Sequence, residues 1–364
     1  MRTAVILLGL FIHNVFALRS LWEELTISES KTFYNSIISN LKYHPIQAIL
    51  QNTATNKTFF IPSENAVQAA IKNNLFSINT TLDDLLYSIL PTAYDIHSLS
   101  SSTKRHYVNT LSTNYSTIIL SPPTSSKNIQ VLAGTTVANI TNHTVCSNGI
   151  VFHVDQFITS PLNVISTISS LSQLNQLENI IKAQNLSNIF TSTANQTIFA
   201  PIDAAWNALN GSSIPFGTII HDLKYHVVNG TYYQQDLLTK NLTLVTTYSS
   251  ETIQTETYAA DGRIMVIGGA SSSDNEGGNR DQRLTIANIV QCDILTSSGK
   301  VIHLIDKILA ADPINVVSLA RNNITSNSTR IVKTLDAQKS FSTSVAISSR
   351  FSLALVMLAV ILCF

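Results

Sequence analysis

Residues 195–206 read Asn195-Gln196-Thr197-Ile198-Phe199-Ala200-Pro201-Ile202-Asp203-Ala204-Ala205-Trp206, and 139 positions earlier the chain reads Asn56-Lys57-Thr58-Phe59-Phe60-Ile61-Pro62-Ser63-Glu64-Asn65-Ala66-Val67. Thr58–Ile61 and Thr197–Phe199 are β-branched or aromatic throughout, which suits a pleated, buried surface. Pro62 and Pro201 lack the N–H that a sheet ladder needs, so each strand should stop there. Ser63, and Asp203 in the later copy, is placed to accept from the free N–H groups that open a following helix. A strand, a turn and a helix are thus encoded in one short segment, twice.

A second duplicated stretch follows in each half: Asn148-Gly149-Ile150-Val151-Phe152-His153-Val154-Asp155 against Ser298-Gly299-Lys300-Val301-Ile302-His303-Leu304-Ile305-Asp306. Shared order and spacing mark a tandem repeat. Ahead of the second strand–proline–helix unit, Leu171, Leu174, Leu177, Ile180 and Ile181 fall on one helical face. Behind it, Leu242–Thr247, Arg263–Ile267 and Leu284–Val290 are short β-rich runs, and Val301–Leu309 is nearly continuous apolar sequence, the pattern of a strand covered on both faces. Ser98–Lys127, rich in Ser, Thr and Pro, and the polar Gly268–Arg283 read as exposed loops. The latter lacks a glycine at the sixth position of a calcium loop, so a solvated hairpin is expected there. Each thiol, Cys146 and Cys292, precedes the glycine of its duplicated stretch and reads as a buried free thiol in a matching place, with an interdomain or intermolecular bridge as the alternative.

The stretches TIFAPIDAAWNAL and GKVIHLIDKIL of the second half, with Lys224-Tyr225-His226-Val227-Val228 between them, resemble the fasciclin domain. The resemblance covers residues 165–312 with all three motifs. Over residues 30–160 it keeps the outer two, but Leu86-Tyr87-Ser88-Ile89-Leu90 stands where the Tyr-His pair belongs, and His153-Val154-Asp155 is one residue shorter than its counterpart. It implies an α+β chain of two tandem fasciclin-like domains, each a β-wedge or sandwich packed against helices, with roles in adhesion or cell-surface organisation. In that family the Tyr-His stretch is associated with adhesion, which makes Tyr225 and His226 a candidate adhesion motif of the second half. The local pattern argues for a structural role instead: a helix over Thr218–Leu223 and a turn at Asn229-Gly230 place Tyr225 and Val227 on one buried face.

The ends set the compartment in which this is read. Met1-Arg2-Thr3 precedes an apolar run, Ala4–Ile12, and Val15-Phe16-Ala17 offers small residues where signal peptidase requires them, so a signal peptide over 1–17 is expected. Phe351–Phe364 is uncharged and apolar, and the small polar stretch Ser340–Ser344 with a spacer through Arg350 precedes it. That order matches a glycosylphosphatidylinositol signal, with Ser340 or Ser342 as attachment candidates, residues 345–364 removed and 313–344 left as a Ser/Thr/Asn-rich stalk. Twelve Asn-x-Ser/Thr sequons, a modest excess over chance, mark Asn56, Asn79, Asn114, Asn139, Asn142, Asn185, Asn195, Asn210, Asn229, Asn241, Asn323 and Asn327 as candidate glycosylation sites.

Charged residues make up 12% of the chain, about half the usual share. Removing both processed segments takes Arg2 and Arg350 and leaves a net charge of about −2 without a basic stripe, which argues against nucleic-acid partners. Gly-x-Ser-x-Gly, His-Glu-x-x-His, P-loop and Cys-x-x-Cys patterns are absent from the sequence, and His153/Asp155 and His303/Asp306 lie on or beside buried strands. The expectation is a non-enzymatic cell-surface glycoprotein without cofactor or metal, whose partners are surface or matrix proteins or glycans and, through the anchor, a membrane. A luminal vacuolar or endomembrane protein assisting membrane fusion is the alternative, and a secreted hydrolase a distant one.

Overall fold

The two duplicated stretches of each half meet as a parallel strand pair inside a seven-stranded sheet, one strand in from its edge. The computed structural model describes residues 18–114, 117–123, 128–208, 216–248, 251–258, 262–269 and 285–309. The first repeat carries α1 (Leu21–Ile27), α2 (Lys31–Ser39), α3 (His44–Gln51), β1 (Lys57–Pro62), α4 (Glu64–Lys72), α5 (Leu82–Leu86), β2 (Ile89–Leu90), α6 (Ile96–Ser101), β3 (His106–Asn109), β4 (Thr117–Ser121), β5 (Gln130–Ala133), β6 (Thr136–Cys146) and β7 (Gly149–Val154). The second carries α7 (Val164–Ser170), α8 (Asn175–Ala183), α9 (Ser187–Thr191), β8 (Gln196–Pro201), α10 (Asp203–Asn207), α11 (Phe216–Tyr225), β9 (Val227–Asn229), α12 (Gln234–Thr239), β10 (Leu242–Val245), β11 (Thr252–Thr257), β12 (Ile264–Gly268), β13 (Thr285–Leu295) and β14 (Val301–Ile305).

The strand orders are β2-β1-β7-β6-β5-β4-β3 and β9-β8-β14-β13-β12-β11-β10, the same path traced twice. Thr58 pairs with Ile150 in the parallel β1–β7 ladder as Thr197 pairs with Val301 in β8–β14. The ends of each sheet curl toward one another: Leu111 N–H donates to the Ile89 carbonyl, and Thr247 N–H to the Val227 carbonyl, both at 2.8 Å. A sheet that closes on itself leaves little open edge for another chain to extend.

Side-chain alternation then builds two cores per repeat. From β1 and β7, Phe59, Ile61 and Val151 face the helices, while Phe60, Phe152 and Val154 face the interior of the curled sheet. Ile198, Ala200, Ile302 and Leu304 face the helices of the second repeat, and Phe199 and Ile305 the sheet interior. These strands are covered on both faces, which is why they read as unbroken apolar runs. Leu21, Trp22 and Leu25 of α1 join the first helix-side core, so that core begins ahead of Ser30.

Several expectations are corrected. Ser98–Lys127 is not an exposed loop: it contains α6, β3 and β4, with Ile118, Ile119 and Leu120 fully buried, because its β-branched residues pair in the sheet. The helical face from Leu171 to Ile181 is broken, with α7 ending at Ser170 and a 3-10 turn over Ser172–Leu174 before α8. Ser63 caps α4 as expected, its Oγ accepting from Ala66 N–H at 3.2 Å, but Asp203 caps a neighbouring helix, accepting from Gln176 N–H of α8 at 2.8 Å. Glu64, at the matching place in the first repeat, likewise accepts from Thr32 N–H of α2 at 3.0 Å. The cysteines do not match. Cys146 lies against the helix-side core and Cys292 against the sheet interior, since register shifts in β13 between Ile289 and Ile294 reverse its facing. Both are free, and burial raises their thiols to about 11 and about 12, so neither is a thiolate at neutral pH. Most of the expected hairpin over Gly268–Arg283 lies outside the described residues, as do the signal peptide, the stalk and the C-terminal tail.

Candidate functional site

Tyr225 and His226 end α11 and are buried to about 1% exposure. The Tyr225 hydroxyl donates to the Thr252 carbonyl at the start of β11, at 3.0 Å. His226 bonds through both ring nitrogens: Nδ1–H donates to the Asp222 carbonyl at 2.6 Å, and Nε2 accepts from Leu309 N–H at 2.9 Å. That fixes a neutral tautomer, and burial holds the imidazole down to about 4. The pair ties helix, sheet and the segment after β14 together, and neither side chain reaches the surface.

The first repeat repeats half of this arrangement. Phe60 N–H donates to the Ser88 carbonyl as Phe199 N–H does to that of His226, so Ser88 occupies the histidine's place and Tyr87 that of Tyr225. Tyr87 is fully buried, and its hydroxyl donates to the Thr117 carbonyl at the start of β4, at 2.7 Å. The tyrosine is therefore common to both repeats, and the histidine alone distinguishes the second. The two other histidines are likewise out of step. Phe152 pairs with Phe60 as His303 pairs with Phe199, so His153 falls one position later, on the opposite face of its strand. The acids realign, because Asp155 and Asp306 each hold an asparagine of the preceding strand: Asn139 and Asn288 donate N–H and Nδ2–H to the two carboxylate oxygens, every bond 2.7 Å.

That clamp separates Asn139 from the other sequons. Its side chain is half-buried and bonded to Asp155, whereas Asn56, Asn79, Asn114, Asn142, Asn185, Asn195, Asn229 and Asn241 are exposed. Asn56 and Asn195, which open equivalent strands, are exposed alike. Asn210, Asn323, Asn327, Ser340 and Ser342 lie outside the described residues.

The most concentrated polar chemistry among the described residues lies where the repeats meet. Asp293 sits in the irregular part of β13 with φ +65° and no exposed surface on its side chain. Its Oδ2 accepts from Arg105 Nη1 at 2.6 Å and from the Tyr107 hydroxyl at 2.8 Å, both ahead of and on β3 of the first repeat. Its Oδ1 accepts from Gln234 N–H at the start of α12, at 2.8 Å. The Tyr107 and Tyr233 rings stack at 4.4 Å, and Gln235 N–H donates to the Tyr107 hydroxyl at 3.3 Å. Behind Asp293, its N–H donates to His303 Nδ1 at 3.2 Å, and His303 Nε2–H donates to the Tyr232 carbonyl at 2.8 Å. Burial first, then the Asp293 charge, raises the Tyr107 phenol, and burial lowers the His303 imidazole. Ser297 N–H also donates to the Leu162 carbonyl of the connecting segment at 2.8 Å. Gly134, at φ +59°, lets this seam close, since a Cβ there would stand 3.2 Å from Pro161 Cα. Asp293 is saturated by Arg105, Tyr107 and Gln234, so the cluster reads as a joint. Sequence reading missed it; its one local trace is the polar interruption Gln291-Cys292-Asp293 in an otherwise apolar strand. No group of three or more His, Cys, Asp or Glu side chains suited to a metal ion occurs among the described residues.

A sequence profile described as "Fasciclin: Fasciclin domain" matches residues 172–311. Among solved structures, the chain is similar to a FAS1 domain pair from the insect cell adhesion molecule fasciclin I, at 18% identity and a TM-score of 0.36, over 77% of this chain and 97% of that one. No curated protein matches. The assignment rests on the profile and on the internal repeat: the first half has the strand order, the parallel pair, the buried tyrosine and the asparagine–aspartate clamp of the half that the profile matches. Residues 172–311 match the fasciclin domain, and the first half repeats the strand order of that half.

Proposed function

We propose that this chain is a secreted, N-glycosylated, non-enzymatic protein, tethered to the outer leaflet by a glycosylphosphatidylinositol anchor, in which two fasciclin domains act as one stiff body for cell adhesion or for organising wall or matrix. The Arg105–Asp293–Tyr107 cluster, in which Asp293 is buried and its two donors are half-buried, carries the stiff-body part of this reading. Two charge-assisted bonds cross from one repeat to the other and fix the geometry of the joint. The tether rests on the sequence around Ser340 and Ser342 and on the apolar Phe351–Phe364. No helix among the described residues is long and apolar enough to cross a membrane. The burial of Tyr225 and His226 supports a reading in which protein or glycan partners meet other surfaces of the two domains.

Treating intact expressing cells with phosphatidylinositol-specific phospholipase C tests the tether. Release of the chain into the medium is expected. Retention on intact cells, with release only after permeabilisation, would replace the surface reading with a vacuolar or endomembrane lumen, and retention in both conditions would remove the anchor.

A further inference from the structure

The helical side of the first repeat carries five large aliphatic side chains in water. Ile38, Leu41, Ile71, Leu75 and Ile78 are 42%, 79%, 41%, 53% and 79% exposed. Single exposed aliphatics are ordinary, but these come from adjoining elements. α2 and α4 are bound together by Thr32, Glu64 and Gln68. Lys42 Nζ, next to Leu41, donates to the Ile78 carbonyl at 2.6 Å, and the Tyr43 hydroxyl donates to the Thr80 carbonyl at 2.6 Å. Ile37, Tyr43, Ala70 and Phe76 are buried beside them and hold the local backbone, so the five cannot turn inward. Asn79 follows Ile78 directly, is exposed, and opens the sequon Asn79-Thr80-Thr81.

We propose that an N-linked glycan on Asn79 lies over this patch and shields it from water and from other chains. The attachment point adjoins the patch, so the first sugar residues are held there at high effective concentration without needing affinity of their own. Their C–H faces and acetamide methyl groups suit an aliphatic floor. Lys42 is already directed to the Ile78 carbonyl and the Tyr43 ring, the neighbouring Asn73 and Asn74 are neutral, and exposed Lys72 at the end of α4 is a single cation beside the patch, too little charge to steer a protein partner strongly. The proposal rests on the secretory reading above, because glycosylation requires entry into that pathway.

The test uses the full chain expressed in a glycosylating secretory host. Site occupancy is read by mass spectrometry, and surface apolarity by ANS fluorescence and size-exclusion chromatography, for wild type, Asn79→Gln and a control, Asn241→Gln, at an exposed sequon. Asn79 should be occupied, and Asn79→Gln should raise ANS emission roughly threefold or more and promote self-association. Asn241→Gln should do neither. Adding Leu41→Ser and Ile78→Ser to Asn79→Gln should restore low emission. Occupied sequons elsewhere with Asn79 empty would overturn the proposal alone, whereas a chain with no occupied sequon would overturn the secretory reading and the proposal with it. Unchanged ANS emission in Asn79→Gln, or a glycosylated wild type whose dimer is lost on Leu41→Ser, would assign the patch no glycan role.

Discussion

Replacing Asp293 with Asn isolates the charge at the seam between the repeats. Asn is the right substitute because φ at this residue is +65°, a left-handed conformation that Asn adopts readily and that would cost Ala roughly 1–2 kcal/mol for reasons unrelated to the joint. Asn keeps an oxygen for Gln234 N–H, but it turns an amide toward Arg105 and Tyr107, so two charge-assisted bonds are lost. Each such bond contributes about 1.5–3 kcal/mol. Arg105 is 24% exposed and can regain water, which discounts its share, and a loss of about 3–4 kcal/mol remains. At about 2–4 °C per kcal/mol for chains of this size, the melting temperature should fall by about 10 °C. Arg105→Met, made on the other repeat, should produce a drop of similar size, and the double variant should cost less than the sum of the two. Differential scanning calorimetry should show one transition in the wild type and two in the single variants, and limited proteolysis should open the connecting segment around Leu162. If Asp293→Asn melts as a single transition at the wild-type temperature, the seam does not couple the domains and the stiff-body reading fails.

Tyr225→Phe and Tyr87→Phe should each cost about 1 kcal/mol by removing one hydroxyl–carbonyl bond, and Tyr225→Ala about 3–5 kcal/mol, read by urea denaturation. A Tyr225→Ala protein that keeps its stability but loses cell binding would make the pair a recognition site instead. His226 is neutral in the fold with its pKa lowered to about 4 against about 6.5 unfolded, so its burial supports the fold above pH 6.5. As pH falls through that window the unfolded chain binds the proton first, and stability of about 3 kcal/mol should be lost by pH 4; His226→Ala should flatten this limb of the pH–stability curve, and an unchanged limb would assign it to other groups. Asn139 should be unmodified in the secreted protein. Thr141→Ala, which deletes the sequon and leaves the Asp155 clamp intact, should remove no glycan mass and cost at most about 1 kcal/mol for its exposed bond to the His153 carbonyl, whereas Asp155→Ala should destabilise the first repeat more; a glycopeptide containing Asn139 would contradict this.

The sequence revealed what depends on local chemistry. Pro62 and Pro201 ended their strands where the missing N–H requires, and the apolar runs around Phe59 and Ile302 became the doubly covered parallel pair. What it hid depends on partners distant along the chain. Ser98–Lys127 reads as a polar loop because Ser and Thr dominate its composition, yet Ile118–Leu120 are buried in a strand paired with β3 inside the segment and with β5 beyond it. The sequence places Leu86-Tyr87-Ser88 where the Tyr-His pair belongs and shows only that the histidine is missing; that the tyrosine hydroxyl makes the same bond in both repeats, with Ser88 tolerated beside it, depends on distant carbonyls. The seam was least legible. Arg105, Tyr107 and Asp293 carry no shared pattern, and register shifts that sequence does not announce bring the acid to face them.

The position of β14 has a mechanical consequence. It lies inside its sheet, between β13 and β8, and the chain leaves it through Leu309, which is itself bonded to His226. Tension applied to the outgoing chain runs along β14 and loads both of its ladders in shear, so many bonds must yield together. A terminal strand at a sheet edge would instead peel one bond at a time. Under a sustained pull, lifetime is governed by the unfolding rate rather than by equilibrium stability. The imidazole at the exit adds one more bond that must break before the strand can begin to slide.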